Sequence, residues 1–199
     1  MSGSFPTDPK ARKVKITSFS PTYVSVSHSL KEQRRRRGGH RWMLDIDFPP
    51  MSRSEFAPIY AFAIKQRGQY DTFTYYPPVV STSQITTAGS GVVNGAHTAG
   101  DTSITTDGWD VSETCLKAGD FLKFSGHSKV YMAVGDVTSD GLGNATITIE
   151  PPLKADLADN ETITTGDVPF TVRFDSDSSD FDVGIENVYG FTMKLLEVV

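Results

Sequence analysis

The clearest pattern in the chain is a strict alternation of apolar and polar residues in the segment RWMLDIDF, residues 41–48. The apolar positions on one side are Trp42, Leu44, Ile46 and Phe48. Successive side chains of a β-strand point to opposite faces, so this alternation predicts a strand with one buried face. We therefore expect a half-buried strand here.

Shorter alternating patterns recur along the whole chain and predict further strands. They are KVKIT (13–17), TYVSVSH (22–28), DTFTYY (71–76), KVYMAV (129–134), NATITIE (144–150) and FTVRF (170–174). The closing segment YGFTMKLLEVV adds a strand with Phe191, Met193 and Leu195 on one face. The pattern predicts a mainly β protein, with a β-sandwich core.

One segment, SRSEFAPIYAFAIKQRG at 52–68, has helical spacing instead, and its apolar positions are Phe56, Ile59, Tyr60 and Ala63. The cationic last turn and Gly68 are typical of a helix end. Ser52 and Glu55 have the spacing of a capping box, but that start would place Pro58 inside the helix. We therefore expect Ser54 to cap an amphipathic helix over about 54–67.

A change of composition after Pro77-Pro78 indicates a second module. About 25 residues there have almost no charge or large apolar side chain, which indicates either a linker or a strand-poor entry into the second module. Short strands and Gly/Asp turns follow, with a hairpin signal in SDGLGN at 139–144. We predict a small β-barrel or sandwich inserted at 89–153, within a core domain formed by residues 1–88 and 154–199.

Charge is distributed unevenly along the 199 residues. Residues 1–67 hold 13 Lys and Arg against 5 Asp and Glu, about +8, and the remainder holds 6 against 19, about −13. Such complementary surfaces steer encounter and register when copies stack, although two solvated faces would have the same composition. The N-terminus lacks the apolar segment of a signal peptide and no apolar run is long, so we expect production in the cytoplasm and no membrane partner.

Each candidate catalytic or ligand-binding motif in the sequence lacks the partner residues that its chemistry requires. The four histidines have no nucleophile elbow or triad signature, and single Cys115 has no metal-ligand spacing around it. The glycines of GSGVVNG precede no phosphate-binding helix, and DSDSSDFD lacks the glycine and terminal Glu of a calcium loop. We expect neither enzyme activity nor a cofactor nor a metal.

The most conspicuous segment is SLKEQRRRRGGHRW, residues 29–42, which concentrates positive charge around a Gly38-Gly39 turn between two strands. Its basic side chains are Lys31, Arg34, Arg35, Arg36, Arg37 and Arg41. Three interpretations compete: nucleic-acid binding, a solvated hairpin tip, and a contact with an acidic surface of a neighbouring subunit. The acidic chain (pI ≈ 5.3) disfavours the first, and the planar fork of arginine, which pairs with carboxylates, favours the last.

The order of these segments resembles the distal tail or tail-tip proteins of long-tailed, siphovirus-like bacteriophages. The resemblance rests on the GGHRW strand entry, SRSEFAPIYAFAIKQRGQYDTF, the PP boundary, GAHTAGDTSITTDGW, LKAGDFLKFSG, KVYMAVGDVTSDGLGNATITIEPPL and the apolar last strand. It covers nearly the whole chain but includes no catalytic motif.

The resemblance implies a structural virion protein. Its β-sandwich and helix would form a homo-oligomeric ring, a hexamer in that family, between the tail tube protein and the baseplate hub or tail-tip proteins. The inserted module would project outward. The arginine segment is expected to be an interface because of its own side-chain chemistry. The alternative is a free-standing carbohydrate- or ligand-binding β module.

Overall fold

A computed structural model describes residues 3–86, 89–185 and 187–199. The protein is mainly β, as predicted, with one helix in the described residues. The first elements are β1 (Lys13–Phe19), β2 (Thr22–Val26), β3 (Glu32–Arg36), β4 (Arg41–Asp47), α1 (Arg53–Lys65), β5 (Phe73–Tyr75), β6 (Gly89–Val93) and β7 (Ser103–Trp109). The others are β8 (Thr114–Leu116), β9 (Phe121–Phe124), β10 (Tyr131–Ala133), β11 (Val137–Thr138), β12 (Ala145–Glu150), β13 (Ile163–Thr164), β14 (Phe170–Phe174), β15 (Phe181–Val183) and β16 (Tyr189–Glu197).

Two compact units divide the chain. Unit 1 comprises 1–73 together with 172–199, and unit 2 comprises 74–171. Unit 1 is therefore discontinuous, and unit 2 is inserted between its two parts. The chain crosses from one unit to the other within β5 and again within β14.

The main sheet has the strand order β1-β4-β16-β14-β5, with β15 paired to β16 beside this path. Strand β4 lies between β1 and β16, and both pairings are antiparallel. The side chains predicted to face the core, Trp42, Leu44, Ile46 and Phe48, are all buried. The predicted strand and its buried face are thus confirmed, and the chain is consistent with the predicted β-sandwich core.

Helix α1 begins one residue before the predicted start and ends at Lys65 rather than Arg67. The expectation that Ser54 would cap it is wrong, because Ser52 is the N-cap. The Ser52 backbone N–H and hydroxyl donate to the Glu55 carboxylate at 2.9 and 2.8 Å. Pro58 lies inside the helix, so the capping box outweighs the cost of the missing N–H.

Aromatic rings join α1 to the rest of unit 1. Phe56 stacks on Tyr189 at a centroid distance of 4.8 Å, and Phe62 meets Phe73 edge-on at 5.3 Å. Phe5 contacts both Phe62 and Phe73. Among the predicted core-facing side chains, Phe56, Ile59 and Ala63 are buried and Tyr60 is half-buried.

Unit 2 contains a nearly closed β-barrel with the strand order β13-β9-β10-β12-β7-β6. The ends of this sheet meet where the Val93 N–H donates to the Glu161 carbonyl and the Asn160 N–H donates to the Val93 carbonyl, both at 2.9 Å. Its core includes Ile104, Leu122, Phe124, Tyr131, Ile147 and Ile149. Closure leaves few free strand edges, which limits unwanted pairing with other chains.

The limits of unit 2 differ from the predicted insertion at 89–153 by 15 residues at the start and 18 at the end. Segments outside those limits are tied to the barrel by hydrogen bonds and burial. The Ser83 N–H donates to the Thr165 carbonyl at 2.9 Å, and Leu157 and Ile163 belong to the core. Of the two interpretations of the uncharged segment after Pro78, the structure therefore favours an entry into the second module over a linker.

Asp120 is a buried hydrogen-bond centre in unit 2. Its carboxylate accepts bonds from the Ser83 hydroxyl at 2.6 Å, the Lys117 N–H at 3.0 Å, and the N–H and side-chain amide of Gln84 at 3.2 and 3.0 Å. Burial opposes ionisation, but these bonds outweigh it and hold the pKa below its ordinary value of 3.8. The carboxylate thereby links the segment at Ser83 to the β8–β9 turn.

Replacing Asp120 with Asn should destabilise unit 2 by about 2–3 kcal/mol, since hydrogen bonds to a buried charged group are lost. Because the folded-state pKa is lowered, this contribution is present above pH 3.8 and disappears as pH falls toward the lower folded value. The measurement is urea unfolding at pH 7 and pH 3. The control is Asp136→Asn. Asp136 is exposed, but it also accepts bonds from a backbone N–H and from the Lys117 side chain. An equal loss of stability in both variants would contradict the role of burial.

Candidate assembly surface

Strands β2 and β3 form a two-stranded sheet of their own, separate from the main sheet. Their antiparallel register pairs Thr22 with Arg36 and Val26 with Glu32. Residues 27–31 connect the strands, and the Ser27 N–H donates to the Lys31 carbonyl at 3.0 Å. We call residues 22–36 the ribbon.

The arginines lie in a different place from the one predicted. Arg34, Arg35 and Arg36 belong to strand β3, and the hairpin turn lies at 27–31 rather than at Gly38-Gly39. The two glycines instead connect β3 to β4. The idea of an arginine-bearing Gly-Gly hairpin tip is therefore wrong, because β3 pairs backward with β2 and not forward with β4.

Every residue of the ribbon is exposed. This includes apolar side chains that ordinarily pack in a core, since Tyr23 is 63% exposed, Val24 53%, Val26 54% and Leu30 82%. An isolated two-stranded hairpin is marginally stable in water, and it normally needs a third strand or a packing layer. The ribbon therefore has the features of an element completed by another chain.

The predicted basic interface residues all lie on or beside the ribbon and are exposed. The Arg34 guanidinium forms an ion pair with Glu32, and Arg37 lies 5.1 Å from the ring centroid of Tyr23. Lys31 lies in the turn, and Arg41 begins β4. Lys31 thus lies at the turn end of the ribbon, whereas Arg36, Arg37 and Arg41 lie at or beyond its opposite end.

The register divides the ribbon into two faces. Side chains of paired residues share a face, so one face carries Val24 and Val26 with Arg34 and Arg36, and the other carries Tyr23 with Arg35. Both faces therefore mix apolar surface with guanidinium groups. Such a mixture suits contact with a surface that is both apolar and acidic.

A second exposed surface in unit 1 was not predicted from the sequence. It combines the outer side of α1 with the edge strand β15, and we call it the helix–β15 surface. Its members are Ala57, Tyr60, Ala61, Phe181, Val183 and Ile185, together with Asp180 and Asp182. Phe181 is 40% exposed, Val183 55% and Ile185 105%.

Contacts hold the helix–β15 surface together. Phe181 lies 5.0 Å from Phe56 and 4.8 Å from Tyr60 between ring centroids, and the Tyr60 hydroxyl donates to the Ser179 carbonyl at 3.4 Å. The run FAPIYAFAI at 56–64 contains no charge, and a helix that is apolar all round is normally buried all round. That run was the signal that could have identified this surface.

Three of the four histidines and the cysteine have contacts within the fold. His40 bonds to Ser18 at 2.9 Å, His97 to Thr105 at 2.9 Å and His127 to Tyr131 at 3.0 Å. Cys115 is buried, and burial raises the pKa of its thiol, which disfavours the reactive thiolate. Among the described residues, no group of three or more His, Cys, Asp or Glu could hold a metal ion.

Unit 2 has an open polar cleft of about 550 Å³ beside β7 and β12. Its lining includes Asn94, Thr105, Asp136, Asp140 and Asn144. Trp109, which could have provided a stacking platform for a sugar, is only 5% exposed. The cleft therefore offers hydrogen-bonding groups without an aromatic platform in its lining.

Comparison with known proteins adds no relative. No protein-family model matches the chain, and no curated protein matches it. Within the residues that the structure describes, no helix has the length and apolarity needed to cross a membrane.

Proposed function

We propose that this chain is a structural subunit of a bacteriophage tail. In this proposal it forms a ring, of six copies by the resemblance, at the distal end and connects the tail tube to the baseplate hub or tail tip. The ribbon carries the proposal, because a fully exposed two-stranded sheet with apolar side chains on both faces is suited to completion by a neighbouring chain. The role is assembly in the virion rather than catalysis.

The distribution of charge supports a contact between protein surfaces. The ribbon and its flanks hold most of the excess positive charge of residues 1–67, while the remainder of the chain is strongly acidic. Complementary charges steer the encounter of subunits and set their register. Copies of one chain with both kinds of surface can therefore attract each other.

The two other interpretations of the arginines explain less. Nucleic-acid binding accounts for positive charge, but Arg34 is already paired with Glu32 and the ribbon also exposes Val24 and Val26. A solvated ribbon without a partner would gain nothing from those valines, because exposed apolar surface has no stabilising contact there. A protein partner accounts for both features.

A carbohydrate- or ligand-binding module is the second candidate, and the polar cleft of unit 2 favours it. Under this alternative the chain would bind its ligand as a monomer or small oligomer, without any need for the ribbon. Isothermal titration of the purified chain with host cell-wall polysaccharide tests it. Binding that is lost in Asp140→Ala would support the alternative.

The proposed function is tested by the location of the protein. Fab fragments raised against the chain should bind at the distal end of the tails of particles that contain it, as seen by negative-stain electron microscopy. Native mass spectrometry of the purified chain should show a closed oligomer. Labelling elsewhere on the particle, or absence of the chain from the particles, would rule out a distal tail role.

A further inference from the structure

We propose that the ribbon of one copy docks on the helix–β15 surface of a second copy. This inference deepens the proposed function and rests on its requirement for contacts between copies. It names both partners of the contact, which the proposed function leaves open. Four observations support it: position, charge, apolar matching and free strand edges.

The two surfaces lie at opposite ends of the main sheet. The ribbon leaves the main sheet at the end where Phe19 pairs with Arg41. Strand β15 pairs with residues 189–191 of β16, at the other end of the sheet. Strand β4 connects these ends, and its seven residues span about 20 Å at 3.3 Å per residue. Both surfaces are exposed in the same chain, so the ribbon does not cover the helix–β15 surface of its own copy.

Charge complementarity identifies the occupant. Asp180 and Asp182 flank Phe181, and Asp175 lies in the exposed loop before β15. Successive side chains of a strand point to opposite faces, so Asp182 lies on the face of β15 away from Phe181. The ribbon presents three successive arginines in β3. Arginine pairs with carboxylates through its planar fork and also stacks on aromatic rings, and the helix–β15 surface offers both partners.

The apolar parts of the two surfaces also match. Val24 and Val26 on one face of the ribbon, and Tyr23 on the other, have no covering layer. Phe181, Val183 and Ile185 present similar uncovered side chains. Burying these against each other removes apolar area from water, which stabilises the contact by about 25 cal/mol for each Å².

Free strand edges give the contact a backbone component. Strand β15 pairs with β16, and no strand among the described residues pairs with its other edge. The outer edges of the ribbon are likewise unpaired within the described chain. A strand of the ribbon can therefore extend the neighbour's sheet next to β15, as extended segments do in β-strand addition. One face of the ribbon then lies beside Phe181 and Val183, and the other lies beside Asp182.

The contact joins two different surfaces of identical chains. Such a heterologous contact leaves one ribbon and one helix–β15 surface free after each addition, so it propagates until the rotation closes a ring. A self-complementary contact between two ribbons would instead stop at a dimer. The proposal therefore accounts for a ring with a single type of contact.

A charge exchange tests the pairing in the full-length chain. We expect Arg35→Glu with Arg37→Glu, both on the Tyr23 face of the ribbon, to abolish oligomers in native mass spectrometry. We expect Asp180→Lys with Asp182→Lys to do the same. The chain with all four changes should regain oligomers, because the charges are again opposite. Failure of the fourfold variant to recover, while wild type is oligomeric and each variant retains its circular dichroism spectrum, overturns the proposal.

Mixed cysteine variants test the orientation. Chains with Val24→Cys and chains with Val183→Cys, of different mass, are mixed and oxidised with diamide, then analysed without reductant. We expect disulfide-linked heterodimers. The matched control mixes Val24→Cys chains with Val111→Cys chains in place of Val183→Cys chains. Val111 is 58% exposed and Val183 is 55% exposed, so the two cysteines would be similarly accessible. The control should yield few disulfide-linked heterodimers.

The outcomes separate this inference from the proposed function. Abundant homodimers of Val24→Cys would indicate a ribbon–ribbon contact and overturn the inference. Oligomers that neither charge change weakens would overturn it while leaving a tail ring in place. A wild-type chain that is monomeric by native mass spectrometry, with Fab labelling absent from tails, would remove both.

Discussion

Replacing Arg34, Arg35, Arg36 and Arg37 together with Gln should leave the chain folded and abolish its assembly. The four side chains lie on or beside an exposed ribbon, so their removal leaves no buried charge without a partner. Exposed ion pairs such as Arg34 with Glu32 contribute less than about 1 kcal/mol to stability. Assembly should be lost because the charges that set its register are gone.

Native mass spectrometry and urea unfolding measure the two parts of this expectation. The matched control removes four exposed lysines instead, through Lys10→Gln, Lys13→Gln, Lys154→Gln and Lys194→Gln. That variant loses the same charge but keeps the ribbon, so it should assemble as wild type does. Added salt should imitate the arginine defect, since the screening length falls from about 8 Å at 0.15 M to about 3 Å at 1 M.

Two results would contradict this prediction. If the four-Gln variant assembles normally in low salt, the arginines are not an interface. If the lysine control fails in the same way, net charge and not the ribbon governs assembly. A folded arginine variant that is monomeric while the control remains oligomeric would locate the interface at the ribbon.

Replacing Ile59 with Ala should lower the free energy of unfolding by about 2–5 kcal/mol. Ile59 is fully buried in α1 and belongs to its core-facing side, so shortening the side chain removes apolar contacts and leaves a cavity. The loss of stability falls within unit 1, because Ile59 and the aromatic side chains of α1 pack the helix against the rest of that unit. Urea unfolding followed by circular dichroism measures it, in 1 M NaCl so that assembly does not add to the apparent stability.

The control for Ile59 lies five residues further along the same helix, on its exposed side. Ile64 is 55% exposed, and Ile64→Ala should change the free energy of unfolding by less than about 0.5 kcal/mol. Both changes remove the same atoms and place Ala in a helix, so their difference reports burial alone. Equal costs at the two positions would show that the inner and outer sides of α1 have been assigned wrongly.

Local pattern was sufficient where one segment carried its own signal. The alternation at 41–48 identified both the strand and its buried face, and the spacing of Phe56, Ile59 and Ala63 identified the inner side of α1. The start of the helix was missed because two local rules conflicted at Ser52 and Pro58, and propensity alone does not rank them. In the structure the capping box prevails over the cost of the proline.

The assembly surfaces depend on information that no single segment contains. The sequence by itself determined a mainly β chain, the helix and the concentration of arginines at 34–37. Only the tertiary structure decided that β3 pairs with β2 rather than β4 and that nothing in the described chain covers this ribbon. It also decided that α1 and β15 leave apolar side chains exposed near Asp180 and Asp182 at the other end of the sheet. Strand pairing and burial are set by contacts between distant residues, whereas alternation and charge are properties of neighbours, which is why sequence identified the elements and the fold decided which of them remain uncovered.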